Sequence, residues 1–166
     1  MGAINNAFNQ AAGAVAGAAL AIKHAKETEE SKMNTAEHSA LIARDQARAA
    51  ETDYDTAAAE NEYSTDEKGK THSLLARSVM AEKEFDKAKS ALAKAQNRKN
   101  ASHKTVDKKL NDVLAARSAA DALKAKIEAL NAMAERAKEQ RAAADKATQL
   151  AEKAQQKYQS RWGGNK

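Results

Sequence analysis

The chain has 166 residues, a formal net charge of +5 and no cysteine, and alanine makes up about a quarter of it. Leucine, isoleucine, valine and phenylalanine together number only 20, which is too few for an ordinary globular core. The lack of cysteine excludes disulfide bonds and thiol chemistry. There is no proline and there are only six glycines, and strong helix formers dominate, so the composition predicts a chain that is almost entirely α-helical.

Helices that bury mainly alanine gain little from burial. Buried apolar area contributes about 25 cal/mol per Å², whereas ordering the backbone costs about 1–2 kcal/mol per residue. Close contact between long helices, most easily within an oligomer, is the expected remedy. We therefore predict an all-α fold of long, alanine-rich coiled-coil helices that form an oligomeric bundle or barrel, preceded by an N-terminal apolar helix.

The first predicted segment, residues 1–26, contains no acidic side chain and includes a run of 12 small or apolar residues at 11–22. Drawn as a helix, one face suits lipid and the other carries a G-x-x-x-G pair that suits a neighbouring copy. The run is shorter than the roughly 20 residues that span a bilayer, so we expect several copies to insert together. A helix that docks on another protein is the alternative. The residues of these two faces are Ile4, Phe8, Val15 and Ile22, with Gly13 and Gly17 opposite.

Residues 27–62 form the second predicted segment, which is an acidic helix. From Met33 to Ala57, small and apolar residues recur at alternating steps of three and four. This spacing predicts an a/d seam made almost wholly of alanine. The pattern fades where polar residues cluster with Gly69, so a turn is predicted at 63–71. Whether the chain folds back at this turn stays open.

A second seam predicts a long basic coiled-coil helix over 72–160. Its constant phase favours one continuous helix, while Asn97 and Asn100 favour a break at 97–104. Leu110, Leu114 and Leu150 lie one position off the seam, and the wider face that they create favours a bundle or barrel. The large members of the seam are Phe85, Leu92, Val106, Val113, Leu123, Ile127 and Leu130.

The end of the chain is basic, and residues 161–166 are predicted to form a tail. No acidic residue follows Glu152. Cations bind phosphates and aromatic rings stack on bases, so this pattern predicts weak, non-specific contact with single-stranded DNA. The alternative is that these cations only complement the dipole of a helix C-terminus. The candidate contact residues are Lys153, Lys157, Arg161, Trp162 and Lys166. A second basic stretch runs over residues 94–109.

The sequence contains no pattern that predicts catalysis. The four histidines are not spaced as metal ligands. Gly69, Lys70 and Thr71 resemble the end of a phosphate-binding loop, but Ser64 stands where its first glycine is required. We therefore expect no enzymatic activity, no catalytic or metal-binding residue and no cofactor.

The arrangement resembles the DNA-pilot proteins of microviruses, the small tailless icosahedral phages with single-stranded DNA. The similar features are the Met1-Gly2-Ala3-Ile4 start before a Gly/Ala-rich apolar helix, a coiled-coil middle rich in alanine, and a basic end with an aromatic residue. The resemblance implies a minor virion protein that oligomerises into an α-helical tube and delivers single-stranded DNA across the host envelope. It also implies membrane lipid, single-stranded DNA, further copies of the chain and capsid protein as partners, and a location in the virion and then in the host cell envelope.

The alternative is a structural or stress protein. A desiccation protectant of the late-embryogenesis kind and an envelope-spanning stalk are both rich in alanine, lysine, glutamate and glutamine. The stretch 142–156 has this composition.

Overall fold

A computed structural model describes residues 2–163 of the chain. Apart from one small β-hairpin the structure is helical, so the predicted all-α class is confirmed. A single helix runs through residues 26 and 27, where the sequence suggested two segments of different character. The elements are α1 (Gly2–Asn61), β1 (Tyr63–Thr65), β2 (Thr71–Ser73), α2 (Leu74–Gln96) and α3 (His103–Trp162).

The structure divides into two compact units. The first holds the described residues up to Arg48 and those from Lys138 onward, and the second holds Ala49–Ala137. Each unit pairs a part of α3 with an earlier helix.

In the first unit α1 and α3 are antiparallel. The guanidinium Nε of Arg44 donates to Thr148 Oγ1 at 3.1 Å, and the indole N–H of Trp162 donates to Glu29 Oε2 at 2.7 Å. Residue numbers in these contacts rise along α1 while they fall along α3, which fixes the antiparallel direction. The buried residues of this unit are all alanines: Ala40, Ala47, Ala144 and Ala151.

Alanine makes this close packing possible because its methyl group is small enough to let the two backbones approach each other. The predicted seam positions of α1 between Met33 and Ala47 are all buried or half-buried. Ala47 and Ala144 are only 1% and 2% exposed to solvent. Such a narrow interface contributes little apolar area per turn, so its stability depends on length.

In the second unit α2 packs against the first part of α3. Glu84, Ala88 and Ala91 of α2 line one surface groove together with Lys109 and Ala116 of α3. The connection between the two helices is only six residues long, as expected for antiparallel neighbours. The seam residues Phe85, Leu92, Val106, Val113, Leu123, Ile127 and Leu130 are all half-buried.

A β-hairpin replaces the simple turn predicted at 63–71. Tyr63 pairs with Ser73 and Thr65 with Thr71 in an antiparallel ladder. Ser73 caps α2, since its hydroxyl accepts from the amide of Ala76 at 3.1 Å. The second helix therefore begins at Leu74 and not at residue 72.

The hairpin turn is built around Asp66 and Gly69. Asp66 Oδ1 accepts from the amides of Lys68 and Lys70, both at 2.9 Å, and its other oxygen pairs with His72 Nε2 at 2.9 Å. Gly69 has φ 74°, a conformation in which a side chain is strained. The hydrogen bond from His72, followed by those from the two amides, holds the pKa of Asp66 below its usual value.

Of the two alternatives for residues 72–160, the structure has the break predicted at 97–104 and not one continuous helix, because α2 ends at Gln96 and α3 begins at His103. Ser102 caps α3: its Oγ accepts from the amide of Thr105 at 3.2 Å. Lys99 and Ser102, which lie at the seven-residue spacing of the seam, are both exposed in this connection. Side chains such as that of Ser102 can hydrogen-bond to the backbone outside a helix. This favours a break in the helix over a continuous helix with polar side chains at its buried positions.

Candidate functional site

The N-terminal overhang, which we define as residues 2–28 of α1, precedes Glu29, which hydrogen-bonds to the end of α3. Within it only Ala25 is half-buried, and every other residue is exposed. Its large apolar side chains are open to solvent over most of their surface: Ile4 75%, Phe8 74%, Val15 69%, Leu20 55% and Ile22 57%. Contiguous apolar exposure of this kind marks an interaction surface.

The apolar face of the overhang continues the seam that α3 covers further along α1. From Ile4 to Ile22 the face advances by alternating steps of three and four residues, and the same steps lead through Ala25 and Glu29 to Met33. One step of four in place of three, after Glu29, is the only irregularity up to Ala47. The overhang is therefore an uncovered length of an interface that is formed elsewhere in the first unit.

The opposite face of the overhang carries Gly13 and Gly17. A Cβ atom at either position would meet no heavy atom within 4 Å, so no contact in the described chain requires glycine there. Glycine costs about 1 kcal/mol relative to alanine inside a helix. The glycine face is open for close approach by another helix, and contact with a neighbouring copy stays a prediction.

Among residues 2–163, no helix combines the length and the apolar character that crossing a bilayer requires.

Three side chains at the base of the overhang hold the end of α3 against α1. We call Glu29, Arg161 and Trp162 the clamp. Glu29 accepts a hydrogen bond from the Trp162 indole and forms an ion pair with the Arg161 guanidinium. The guanidinium also lies over the Trp162 ring, 5.1 Å from its centroid.

The clamp changes the acidity of its carboxylate. The Glu29 side chain is only 16% exposed, and burial alone would raise its pKa. The Trp162 hydrogen bond first, and the charge and hydrogen bond of Arg161 after it, outweigh this effect and hold the pKa of Glu29 below its usual value. The carboxylate is therefore charged at neutral pH.

The clamp engages two of the residues proposed to contact nucleic acid. Arg161 and Trp162 both bind Glu29, while Lys153 and Lys157 are exposed on α3. Lys166 lies outside the described residues. Sequence reasoning did not find Glu29 as a partner, although an acidic residue at a seam position next to a phase irregularity was a signal.

A second cationic surface surrounds the connection between α2 and α3. All five side chains are exposed, and among the described residues none of them forms an ion pair with a carboxylate. Five exposed cations around one short connection make this surface a candidate site for a polyanion. We call this surface the basic turn, and it consists of Lys94, Arg98, Lys99, Lys104 and Lys108.

In the part of the chain that the structure describes, no three side chains of histidine, aspartate or glutamate are placed to hold a metal ion. The chain matches no protein family, no curated protein and no solved structure among those with which it was compared. The physical properties of the overhang, the clamp and the basic turn are therefore the basis for proposing a function.

Proposed function

We propose that the overhang is a membrane-active helix of a minor phage virion protein, which oligomerises into an α-helical tube and delivers single-stranded DNA across the host envelope. The observation that carries this proposal is the exposure of the apolar face of the overhang in a segment with no acidic residue before Glu27. Such a face is unfavourable in water and is stabilised at a lipid interface. Lys23 and Lys26, at the base of the overhang, favour anionic headgroups.

Polar side chains in the overhang favour insertion by several copies. Asn5, Asn6, Asn9 and Gln10 lie on the same helix as the apolar face. An unpaired amide in hydrocarbon costs several kcal/mol. In an assembly these amides bond to one another or face water inside a pore.

Exposed leucines beside the seam support association of the helices into a tube. Leu110 and Leu114 in the second unit are 44% and 55% exposed, and Leu150 in the first unit is 56% exposed. Each flanks a covered seam and leaves a second apolar strip on its helix. A neighbouring copy is the partner that we propose for these strips.

Contact with single-stranded DNA is best supported at the basic turn. Its cations are unpaired, so they release counterions when they bind phosphates. Lys153 and Lys157 remain candidates near the end of α3, whereas the charge of Arg161 is already opposed by Glu29. Contacts of this kind are weak and independent of base sequence, which suits a strand that must slide.

Vesicle flotation tests the membrane role. We expect the full chain to bind vesicles of mixed neutral and anionic lipid, and the variant Phe8→Gln/Val15→Gln to bind at least tenfold less tightly. Burying each large apolar side chain contributes about 1.5–3 kcal/mol, and about 1.4 kcal/mol is a factor of ten.

Leu20→Gln is the matched control because Leu20 is also exposed in the overhang but lies off the apolar face. Its binding should stay within about twofold of the unmodified chain. Absence of binding by the full chain, or an equal loss in the Leu20 variant, would overturn the proposed role of this face.

A further inference from the structure

We propose that, in water, a second copy of this chain covers the apolar face of the overhang, with the two overhangs antiparallel. The inference rests on the proposed function, in which the overhang is the active segment, and names the partner that the overhang has before it meets a membrane. The contacting residues run from Ile4 to Ile22.

The first argument is continuity with an interface that the chain already forms. Between Met33 and Ala47 the seam of α1 is covered by α3, which runs antiparallel to it. Between Ile4 and Ile22 the same seam continues in the same helix and is uncovered. A surface with the same spacing fits a cover of the same kind, which is an antiparallel helix of this chain.

The second argument comes from the sizes of the side chains along the overhang. One set of positions at seven-residue spacing has Ile4 near the helix start and then the small residues Ala11 and Ala18, and the other set is large throughout, with Phe8, Val15 and Ile22. An antiparallel pair places Phe8 of one copy opposite Ala18 of the other, and Val15 opposite Ala11. Large then meets small in the four central layers, so the helices keep a near-constant separation there, and Ile4 meets Ile22 in the layer at each end.

A parallel pair has the opposite property. Phe8 would face Phe8 and Ala11 would face Ala11, so thick and thin layers would alternate along the interface. The thin layers would leave cavities, which destabilise a packed interface. Side-chain size therefore favours the antiparallel direction.

Charge favours the same direction. Lys23 and Lys26 stand at the base of the overhang, and no acidic residue precedes Glu27. A parallel pair would bring four cations of the two copies together, whereas an antiparallel pair keeps them at opposite ends. Like charges held close together oppose association.

Cysteine cross-linking of the full chain tests the arrangement, because the native sequence contains no cysteine. Ile4→Cys and Ile22→Cys chains are mixed in water without lipid under mild oxidation. We expect a mixed disulfide dimer as the main product. Either variant alone should give little dimer, since antiparallel pairing separates its two cysteines by about 27 Å, at about 1.5 Å rise per residue.

Leu20→Cys mixed with Ile4→Cys is the control, because Leu20 lies off the apolar face. Strong dimer from Ile4→Cys alone would show parallel pairing and overturn the proposal, as would mixed dimer no greater than in this control. Because no vesicles are present, failure of cross-linking with vesicle binding intact rejects the pairing alone. Cross-linking that persists when vesicle binding fails rejects the membrane role alone.

Both roles use the same apolar face, so lipid and the second copy compete for it. Adding vesicles of mixed neutral and anionic lipid to the cysteine mixture before oxidation should lower the yield of mixed dimer severalfold. A yield unchanged at vesicle concentrations that bind the full chain would contradict this competition, and with it the identification of the shared face.

Discussion

Glu29 ties the last described turn of α3 to the point of α1 where the overhang begins. A carboxylate at a half-buried seam position requires partners, and it receives one neutral and one charged donor. This contact marks where the cover provided by α3 ends. Glu29, the acidic residue within the apolar seam, therefore marks the boundary of the overhang.

The lowered pKa of Glu29 makes the clamp sensitive to acid. Its pKa in the folded chain lies below that of an unfolded glutamate, so the stability from the clamp is fully present above the unfolded pKa. It is lost as the pH falls through the folded pKa. Trp162 is the only tryptophan, and we expect its fluorescence to show an opening transition below the usual pKa of glutamate.

Glu29→Gln should remove this transition, because the amide does not titrate, and should give at neutral pH an emission close to that of the acidified native chain. Glu30→Gln, at the neighbouring exposed position, should leave both the emission and the transition unchanged. An acid transition that survives in the Glu29 variant would show that another group controls Trp162.

The hairpin shows what single residues revealed in advance and what they did not. Gly69 and its polar neighbours indicated a turn, and the structure uses Gly69 at positive φ. The strands have three residues each, too few for an alternating pattern to be visible in a sequence. The pairing of Asp66 with His72 depends on the strand register and was for the same reason not predictable.

At the scale of elements, the alanine seam sets the separation of the helices in the first unit. We expect Ala144→Leu to lower the free energy of unfolding by about 1–3 kcal/mol, because the larger side chain overfills a contact that is 2% exposed. Ala142→Leu, two residues away and exposed, should change stability by less than about 0.5 kcal/mol. Urea denaturation of both full chains measures the difference, and equal effects would contradict close packing at Ala144.

The seam was predictable because burial follows the spacing of small residues. In α1 every position from Met33 to Ala57 that the pattern selects is buried or half-buried. The break between α2 and α3 was harder to predict, since two separate helices can show the same phase by coincidence. Asn97 and Asn100 were the features that indicated it.

At the scale of the whole molecule, charge separates the acidic residues 27–67, at a net −9, from the basic remainder, at +12 over 68–166. We expect binding to a single-stranded oligonucleotide to weaken with salt. The variant Arg98→Gln/Lys99→Gln should reduce the slope of log affinity against log salt by about 1.4, at about 0.7 for each lost phosphate contact. Fluorescence anisotropy over a salt series measures the slope.

Lys124→Gln/Lys126→Gln removes the same charge from exposed positions of α3 outside the basic turn, and it should change the slope by less than half as much. An equal reduction in both variants would show that the oligonucleotide responds to net charge and not to the basic turn. The variant Lys153→Gln/Lys157→Gln in the same salt series measures how much the end of α3 contributes to oligonucleotide binding.

Assembly is the level that one chain reveals least, because the partner of an exposed face belongs to another molecule. The exposed leucines and the overhang are the surfaces at which we propose that further copies bind, whereas subunit number depends on angles between chains. A desiccation protectant of similar composition would be unfolded in dilute buffer. The proposed tube instead requires an ordered chain whose apolar faces are left for neighbouring copies.

The hairpin between α1 and α2 has a practical consequence. Its two ends are adjacent, since the amide of Leu74 donates to the carbonyl of Glu62 at 3.0 Å, and its tip around Lys68 is exposed. Residues added at the tip lengthen the polypeptide without altering the register of either helix. This loop is accordingly the natural attachment point for a fluorophore, an epitope or a whole cargo domain, well away in sequence from the overhang.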